Sequence, residues 1–438
     1  MTDVRRRSVL RALGAALGSS AASALNPRGA FAADLRYAPE KGAQLKLLRW
    51  KRFVQGDEDA FVANTRKFTE LTGVSVQIES INTEEVRAKG ALAASVGAGP
   101  DMVMGFPDMP QLYPDRCLDV TELAGYLGKK YGGWYDVCQR YCTVDGRWIG
   151  LALAINSFLV VYRESLIKAA GFTQIPRDLG GFLKLCKALK ARGTPAGFAL
   201  GNAVGDTSWC SWLLWAHGAS LVDEKNRIAV NSKETLAALE YAKDLYPTFV
   251  SGTLSWLDPN NNKAFLSGEI SLTWNPVSIY YVAKTSTDPA LQAMAADIQH
   301  AHMPIGPVGR PTELHGFFTL WTFKHTKYPN AAREYMRFML EREQYEPWQQ
   351  ASLGFMCQTL RAYESNPIWT SDPKLTPIRE APGLMLYDGY PGQVGAASAA
   401  CAADFIIANM FAEAASGQST PQAAAARAEQ RARRYYKA

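Results

Sequence analysis

The chain has 438 residues, of which 47% are hydrophobic and 20% charged; these values are typical of a folded globular protein and exclude general disorder. A chain of this length corresponds to two or three domains and can bury two sizeable cores. Residues 1–32 carry five arginines and one aspartate, so only +2 of the formal net charge of +6 belongs to the rest of the chain. Such a small charge argues against nucleic acid as a partner.

The first 32 residues have the pattern of a bacterial export signal. Three arginines at 5–7 precede an apolar run at 12–25, and a small-x-small cleavage pattern ends at Ala32. Paired arginines before a mildly hydrophobic segment favour the twin-arginine route. We therefore expect removal of residues 1–32, a mature start near Ala33, and a periplasmic location.

Alternating strand and helix patterns begin after the leader. The predicted elements are a strand at 45–50, a helix at 57–73, a strand at 74–81, a helix at 83–96 and a strand at 101–104. This βαβαβ order predicts a parallel sheet that is covered by helices.

The remaining elements continue the mixed pattern. Residues 151–162 are almost wholly apolar and predict one buried strand or two collinear ones. Further helices are predicted at 164–171, 179–192, 207–217, 233–246, 329–340 and 343–353, and a strand at 316–323. The Ala-rich stretch 396–415 predicts a packed helix, because charged and polar residues interrupt it.

Open parallel sheets bind ligands beyond the carboxyl ends of their strands. Here these ends are the loops after Trp50, Met104, Ile155 and Trp274. We expect the following positions to face a cleft: 51–55, 105–108, 156 and 275–278.

Six short segments in fixed order give the chain a family resemblance. They are FTELTGV at 68–74, AGPDMV at 98–103, DGRWIG at 145–150, VYRESL at 161–166, AFLSGE at 264–269 and ASG at 415–417. Together they resemble the family 1 extracellular solute-binding proteins of bacterial ABC importers, of the maltose-binding, sugar-binding type. The segments cover nearly all of the mature chain.

The resemblance implies an α/β fold of type II, a two-lobed clamp in which each lobe is a mostly parallel sheet flanked by helices. It implies an N-terminal lobe of residues 33–152 plus 304–358 and a C-terminal lobe of residues 153–303 plus 359–438. Hinge strands would lie near 151–154 and 303–307, and ligand would close the lobes. The implied partners are a small molecule, a sugar, and the permease subunits in the membrane; we expect a monomer that binds no nucleic acid.

A sugar site needs flat aromatic platforms together with short amides, carboxylates or hydroxyls. The candidate ligand-binding residues are Trp50, Phe53, Asp108, Asn156, Trp209, Trp212, Trp274, Asn275, Ser278, Tyr280, His315 and Phe317. For the tryptophans the alternative is core packing, and Trp274 and Asn275 cannot both face the cleft if they alternate on a strand. Asn156 stands near an acidic ligand contact of maltose-type relatives, which makes a specificity for malto-oligosaccharides doubtful.

Other functions remain open from the residues. Catalytic motifs such as G-x-S-x-G, H-E-x-x-H and a P-loop are absent from the sequence, so we expect no catalytic residue, no cofactor and no metal, although a glycan-processing enzyme stays an alternative. Alternative ligands in the same fold are a polyol, a polyamine or ferric ion. The adjacent pair Tyr280-Tyr281 is the feature that would indicate ferric ion. The seven cysteines fit small buried side chains or disulfides, and their spacing does not decide between these.

Overall fold

The computed structural model describes residues 35–437, and the predicted export signal lies outside these residues. The strands are β1 (Gln44–Trp50), β2 (Ser75–Ile81), β3 (Met102–Gly105), β4 (Thr143–Val144), β5 (Arg147–Trp148), β6 (Leu151–Asn156), β7 (Leu159–Arg163), β8 (Leu272–Asn275), β9 (Ile298–Ala301) and β10 (Gly316–Thr322).

Helices cover the faces of the sheets and fill the C-terminal region. In chain order they are α1 (Gln55–Thr72), α2 (Thr83–Val96), α3 (Asp108–Leu112), α4 (Thr121–Lys130), α5 (Asp136–Cys142), α6 (Glu164–Ala169), α7 (Leu179–Ala191), α8 (Trp209–Ala216), α9 (Lys233–Leu245), α10 (Asp258–Leu266), α11 (Ser278–Thr285), α12 (Pro289–Asp297), α13 (Pro329–Met339), α14 (Arg342–Ala351), α15 (Ile368–Ser371), α16 (Thr376–Leu384), α17 (Ala396–Ala403), α18 (Ile406–Ala415) and α19 (Pro421–Ala432).

The first sheet has the strand order β2-β1-β3-β10-β6. Strand β1 pairs in parallel with β2 and β3, as the βαβαβ pattern predicts, and β10 is antiparallel to both of its neighbours. Helix α1 ends at Gly73, where φ is 76°; a glycine takes this left-handed conformation without steric cost and stops the helix at the predicted place.

The second sheet has the order β8-β7-β9, and both of its strand pairs are antiparallel. This differs from the expected mostly parallel sheet. The parallel neighbours of this sheet are isolated bridges, such as Ala196 with Leu272, rather than full strands. The regular hydrogen-bond partners of the central strand β7 are therefore two antiparallel strands, β8 and β9.

The apolar run at 151–162 forms two strands that belong to different sheets. Strand β6 is the edge of the first sheet and β7 is the centre of the second, so the chain passes between the sheets at Ser157 and Phe158. It returns between β9 and β10, through residues 302–315. These two crossings place a cleft between the sheets.

Two clusters of buried apolar residues fill the interior. The first surrounds β1, β3 and β10 and extends to β7, β9 and α11, and the second packs helices α7, α8, α9 and α18 against the second sheet. All eight residues of α8 are buried. A helix that is apolar on every side is enclosed on every side, which accounts for its run of tryptophans.

The Ala-rich stretch forms two helices rather than one. Helices α17 and α18 are separated at Phe405, where φ is 50°. By length and composition alone, Ala396–Ala415 is a stretch of the described residues that is apolar enough to cross a membrane. Here its apolar face, including Phe411, packs into the second core.

All seven cysteines are buried and carry free thiols. Cys138 and Cys142 lie one turn apart on α5 and are both 0% exposed. Burial raises the pKa of the Cys142 thiol, which keeps it protonated and unreactive. The thiols therefore act as small apolar core groups.

Candidate ligand-binding site

A cavity of about 170 Å³ lies between the two sheets. One wall comes from the loops after β1 and β3 and from helix α2; the other comes from the end of β8, the loop 204–208 and the start of α10. The carboxyl ends of strands from both sheets therefore converge on one space, as expected for open sheets.

The structure brings most of the candidate residues to this cavity. Those that line it are Trp50, Phe53, Asp108, Asn156, Asn275, Ser278, His315 and Phe317. Four candidates lie outside the lining, namely Trp209, Trp212, Trp274 and Tyr280.

The three tryptophans outside the lining are core residues of the second sheet. The indole N–H of Trp209 donates to the carbonyl of Ala199 at 2.7 Å, and that of Trp212 donates to the carbonyl of Pro304 at 3.0 Å. Both side chains are 0% exposed. Their polar atoms are thus satisfied within the core, which leaves them no group to offer a ligand.

Strand alternation decides between Trp274 and Asn275. The Trp274 indole points into the core and donates to Ser208 Oγ at 2.7 Å, whereas Asn275 lines the cavity. The Asn275 amide is held by Asn261 and Ser278 on the same wall. Successive strand residues face opposite sides, so one of the two had to lie away from the cavity.

Aromatic rings form the apolar part of the wall. Trp50 lies 4.2 Å from Phe318 and 6.4 Å from Phe106 between ring centroids, and the Trp50 and Phe106 planes are within 23° of each other. The ring centroids of Phe317 and Tyr141 are 5.0 Å apart, and both residues line the cavity. Such flat faces suit the C–H face of a ring-shaped solute.

An ion pair anchors the polar part. Arg87, on α2, donates from Nη2 to Asp108 Oδ1 at 2.9 Å, and its guanidinium lies 5.2 Å from the Phe106 ring centroid. Asp108 is 2% exposed. Burial raises the pKa of Asp108, and the Arg87 charge offsets part of that rise. Within the described residues, Arg87 Nε and Nη1 and Asp108 Oδ2 have no hydrogen-bond partner.

Three more carboxyl groups reach the cavity, from Asp206, Asp258 and Asp388. Burial, together with the nearby Asp258, raises the pKa of Asp206 well above its usual range. Burial likewise raises the pKa of Asp258 and of Asp388 to about 6 in each case. The Tyr141 hydroxyl donates to Asp388 Oδ2 at 2.9 Å. The cavity is therefore rich in hydrogen-bond acceptors.

His315 lies beside a buried network at the second crossing between the sheets. Glu313 Oε2 lies 3.0 Å from His302 Nδ1 and 3.3 Å from His315 Nε2, and its Oε1 accepts from the N–H of Met303 at 2.6 Å. Burial alone would raise the pKa of Glu313, but the two histidines outweigh it and hold the value at about 2. The His315 imidazole lies beside this network, but neither of its ring nitrogens has a hydrogen-bond partner within the described residues.

Sequence reasoning missed Arg87, Tyr141, Asp206 and Asp388. Arg87 and Tyr141 lie on helices, and Asp206 and Asp388 lie in loops far from the strand ends that were used as the signal. One local feature points to two of these residues, namely a position near a helix start. Arg87 lies in the first turns of α2, which follows β2, and Asp206 lies just before α8, after a Gly-rich loop. Asp388 comes from the C-terminal region, and no local sequence pattern indicates that it lines the cavity.

The adjacent tyrosines contact different partners. The Tyr280 hydroxyl donates to Asp372, whereas the Tyr281 hydroxyl accepts from the N–H of Gly56 at 2.8 Å. A ferric site needs tyrosinate oxygens that converge on one ion. These two hydroxyls therefore do not supply the signal for ferric ion that their adjacency suggested.

The fold and cavity define a solute-binding clamp, and the comparisons agree. The sequence model of the family described as bacterial extracellular solute-binding protein matches residues 64–377, well over half of the chain. A probable ABC transporter-binding protein of Deinococcus radiodurans is 23% identical over 206 residues, which are 45% of this chain and 48% of the relative. That match spans about half of the relative's length.

Solved structures share the fold across nearly the whole chain. A maltose-bound MalE3 protein of T. maritima has a TM-score of 0.78 at 18% identity and covers 90% of this chain and 99% of its own. A solute-binding protein of Thermotoga lettingae TMO, bound with α-D-tagatose, has a TM-score of 0.75 at 17% identity and covers 90% of this chain and 100% of its own. The chain belongs to the bacterial extracellular solute-binding protein family.

Proposed function

We propose that this protein is the solute-capturing component of an ABC importer and that it works in the periplasm. The observation that carries the proposal is the cavity between the two sheets, with aromatic rings and acceptor groups on its walls. Family membership supports capture of a small molecule. The curated relative, a probable ABC transporter-binding protein, supports delivery to permease subunits in the membrane.

The proposed ligand is a carbohydrate about one ring in size. Two structural neighbours are described as bound to maltose and to tagatose. The cavity of about 170 Å³ is close to the ~150 Å³ that holds one benzene molecule. A volume of this size suits one sugar ring better than a chain.

Capture proceeds by closure of the two lobes, one built on the first sheet and the other on the second. The boundary expected at 152 moves to 156, because β6 is a strand of the first sheet through Asn156. The crossings at 157–158 and 302–315 are the segments about which the lobes rotate. Ligand that touches both walls stabilises the closed form, because it contacts both lobes there and one lobe in the open form. The permease then recognises the closed form.

The protein binds its solute without transforming it, and it acts as a monomer that reaches the periplasm by the twin-arginine route. Free, buried thiols support that route, since the twin-arginine system carries proteins that fold before export. An export assay with Arg5 and Arg6 both changed to Lys tests the route: the precursor should accumulate in the cytoplasm.

A thermal-shift screen of the mature protein tests the function. Mono- and disaccharides, polyols, polyamines, amino acids and ferric ion are compared at equal concentration. Ligand at 100 Kd stabilises the native state by about 2.7 kcal/mol, so a binder gives a clear rise in Tm. A rise with one class of carbohydrate supports the proposal, and recovery of that solute unaltered by NMR supports binding without catalysis. A rise with ferric ion alone contradicts it.

A further inference from the structure

We propose that the solute carries a protonated amine as well as hydroxyl groups, as in an amino sugar or an amino polyol. The inference rests on the proposed function, because it concerns the ligand of the same cavity. It goes further by assigning a charge to that ligand.

The charges on the cavity wall do not balance. The described residues that line it include one permanently charged base, Arg87, and four aspartates, namely Asp108, Asp206, Asp258 and Asp388. The base is engaged with Asp108 at 2.9 Å. His315 also lines the cavity, with Nε2 3.3 Å from Glu313 Oε2.

Asp206 is the residue that most needs a cation. It is 3% exposed, and its Oδ2 has no hydrogen-bond partner among the described residues. Its ionisable neighbour is another carboxyl group, that of Asp258, whose Oδ1 accepts a hydrogen bond from the N–H of Gly205 at 3.4 Å. Without a partner this buried carboxyl group is held protonated, because burial raises its pKa, and a cation beside it would favour the ionised form. An ammonium group supplies both the charge and three N–H donors.

The cavity also offers donors that have no partner, which excludes a simple diamine or polyamine. Nε and Nη1 of Arg87 and Nε1 of Trp50 are buried and unpartnered within the described part of the chain. These groups need acceptor oxygens from the ligand, and an acyclic polyamine has none. Hydroxyl and ring oxygens meet this need, and the aromatic faces at Trp50 and Phe106 accept the ring itself.

Calorimetric titration of the mature protein with matched trios tests the inference. Each trio contains an amino sugar, its neutral parent and its N-acetyl derivative: D-glucosamine, D-glucose and N-acetyl-D-glucosamine, with the galactose and mannose series alongside. Spermidine is included as a cation without hydroxyls. We expect one amino sugar to bind at least 10-fold more tightly than its neutral parent and its N-acetyl derivative at pH 7.

The variant Asp206→Asn keeps the shape of the side chain and removes its charge. It should lower that preference at least 5-fold, whereas Asp244→Asn, at an exposed position on α9, should leave it unchanged. Circular dichroism confirms that both variants fold.

The outcomes separate the inference from the proposed function. Equal or tighter binding of a neutral sugar, or a preference that survives Asp206→Asn, overturns the inference and leaves sugar capture standing. Binding of spermidine alone overturns the hydroxyl-bearing ligand. A chain that binds none of these solutes contradicts both.

Discussion

The N–H of Gly56 donates a hydrogen bond to the hydroxyl of Tyr281 at 2.8 Å. Gly56 is the second residue of α1, the helix that follows the first strand of one sheet, and Tyr281 lies on α11, beyond the last residue of β8 in the other. The bond therefore joins a helix beside the first sheet to a helix beside the second. It can form only when the sheets are as close as they are here.

Removal of this hydroxyl should favour the open form. Tyr281→Phe leaves the N–H of Gly56 without its partner and costs the closed state about 1–2 kcal/mol, which corresponds to a ~5- to 30-fold weaker affinity for the solute. Most of the change should be in the dissociation rate, measured by stopped-flow tryptophan fluorescence. Tyr246→Phe, outside the cavity lining, is the control. An unchanged dissociation rate would argue against a role for this bond in closure.

The close approach at Gly56 predicts intolerance of a side chain. A Cβ atom there would lie 1.9 Å from the carbonyl oxygen of Ala351 and 2.9 Å from the Tyr281 hydroxyl oxygen. Gly56→Ala should therefore lower the free energy of unfolding by about 1–3 kcal/mol through overpacking. Gly125→Ala, on helix α4 with no atom within 4 Å, should be neutral or stabilising by about 0.4–1 kcal/mol. Urea denaturation distinguishes the two, and similar effects at both sites would contradict the packing argument.

The Arg87–Asp108 pair predicts coupled effects on stability. Arg87→Gln leaves a buried carboxylate without its counter-charge, and we expect a loss of about 2–3 kcal/mol, less than for a fully buried pair because the Arg87 side chain is 22% exposed. Adding Asp108→Asn removes the stranded charge and should restore part of the loss. A double-mutant cycle from urea denaturation measures the coupling. Strict additivity of the two changes would show that the pair does not interact.

Asp388 predicts a distinct dependence of stability on pH. Burial, with the Asp108 charge, raises the pKa of Asp388 to about 6, above its ordinary 3.8. The folded state therefore binds this proton more tightly, so the contribution of Asp388 is greatest below pH 3.8 and is lost as pH rises through about 6. The variant Asp388→Asn has no ionisable group at this position, so its stability does not fall for this reason as pH rises.

The stability of Asp388→Asn relative to the unmodified protein should therefore increase between pH 5 and pH 7. Urea denaturation of the ligand-free proteins at pH 5, 6 and 7 measures this difference. Other groups that titrate in the same range, such as Asp258 with its pKa of about 6, are common to both proteins and cancel. A difference that stays constant with pH would contradict the raised pKa.

Much of the first sheet could be predicted from sequence, because strand and helix periodicities alternate there. Glycines such as Gly73 also mark where its helices end. The loops that face the cavity followed from the same argument. The pairing within the second sheet could not be predicted, since periodicity does not reveal strand direction. The division of 151–162 between two sheets was not decided by the sequence either, because this almost wholly apolar run predicts one strand or two.

The tryptophans show where local reasoning about the site stopped. Trp209 lies at the start of a helix, beside a loop, and was a candidate ligand contact, but every residue of that helix is buried. Loop proximity indicates exposure only when one face of the helix is free. Conversely, Asp206 and Asp388 reach the same cavity because of the tertiary fold, and nothing near either residue in sequence indicates this.

The central claim is that the cavity between the sheets captures one solute molecule. Calorimetric titration of the mature protein with the solute that gives the largest thermal shift tests it most directly, alongside Trp50→Leu, which removes the aromatic wall beside Phe106. We predict one binding site per chain and at least a 10-fold weaker affinity in the variant, with the fold retained by circular dichroism. Binding that is indifferent to Trp50→Leu, or a stoichiometry other than one, would contradict capture in this cavity.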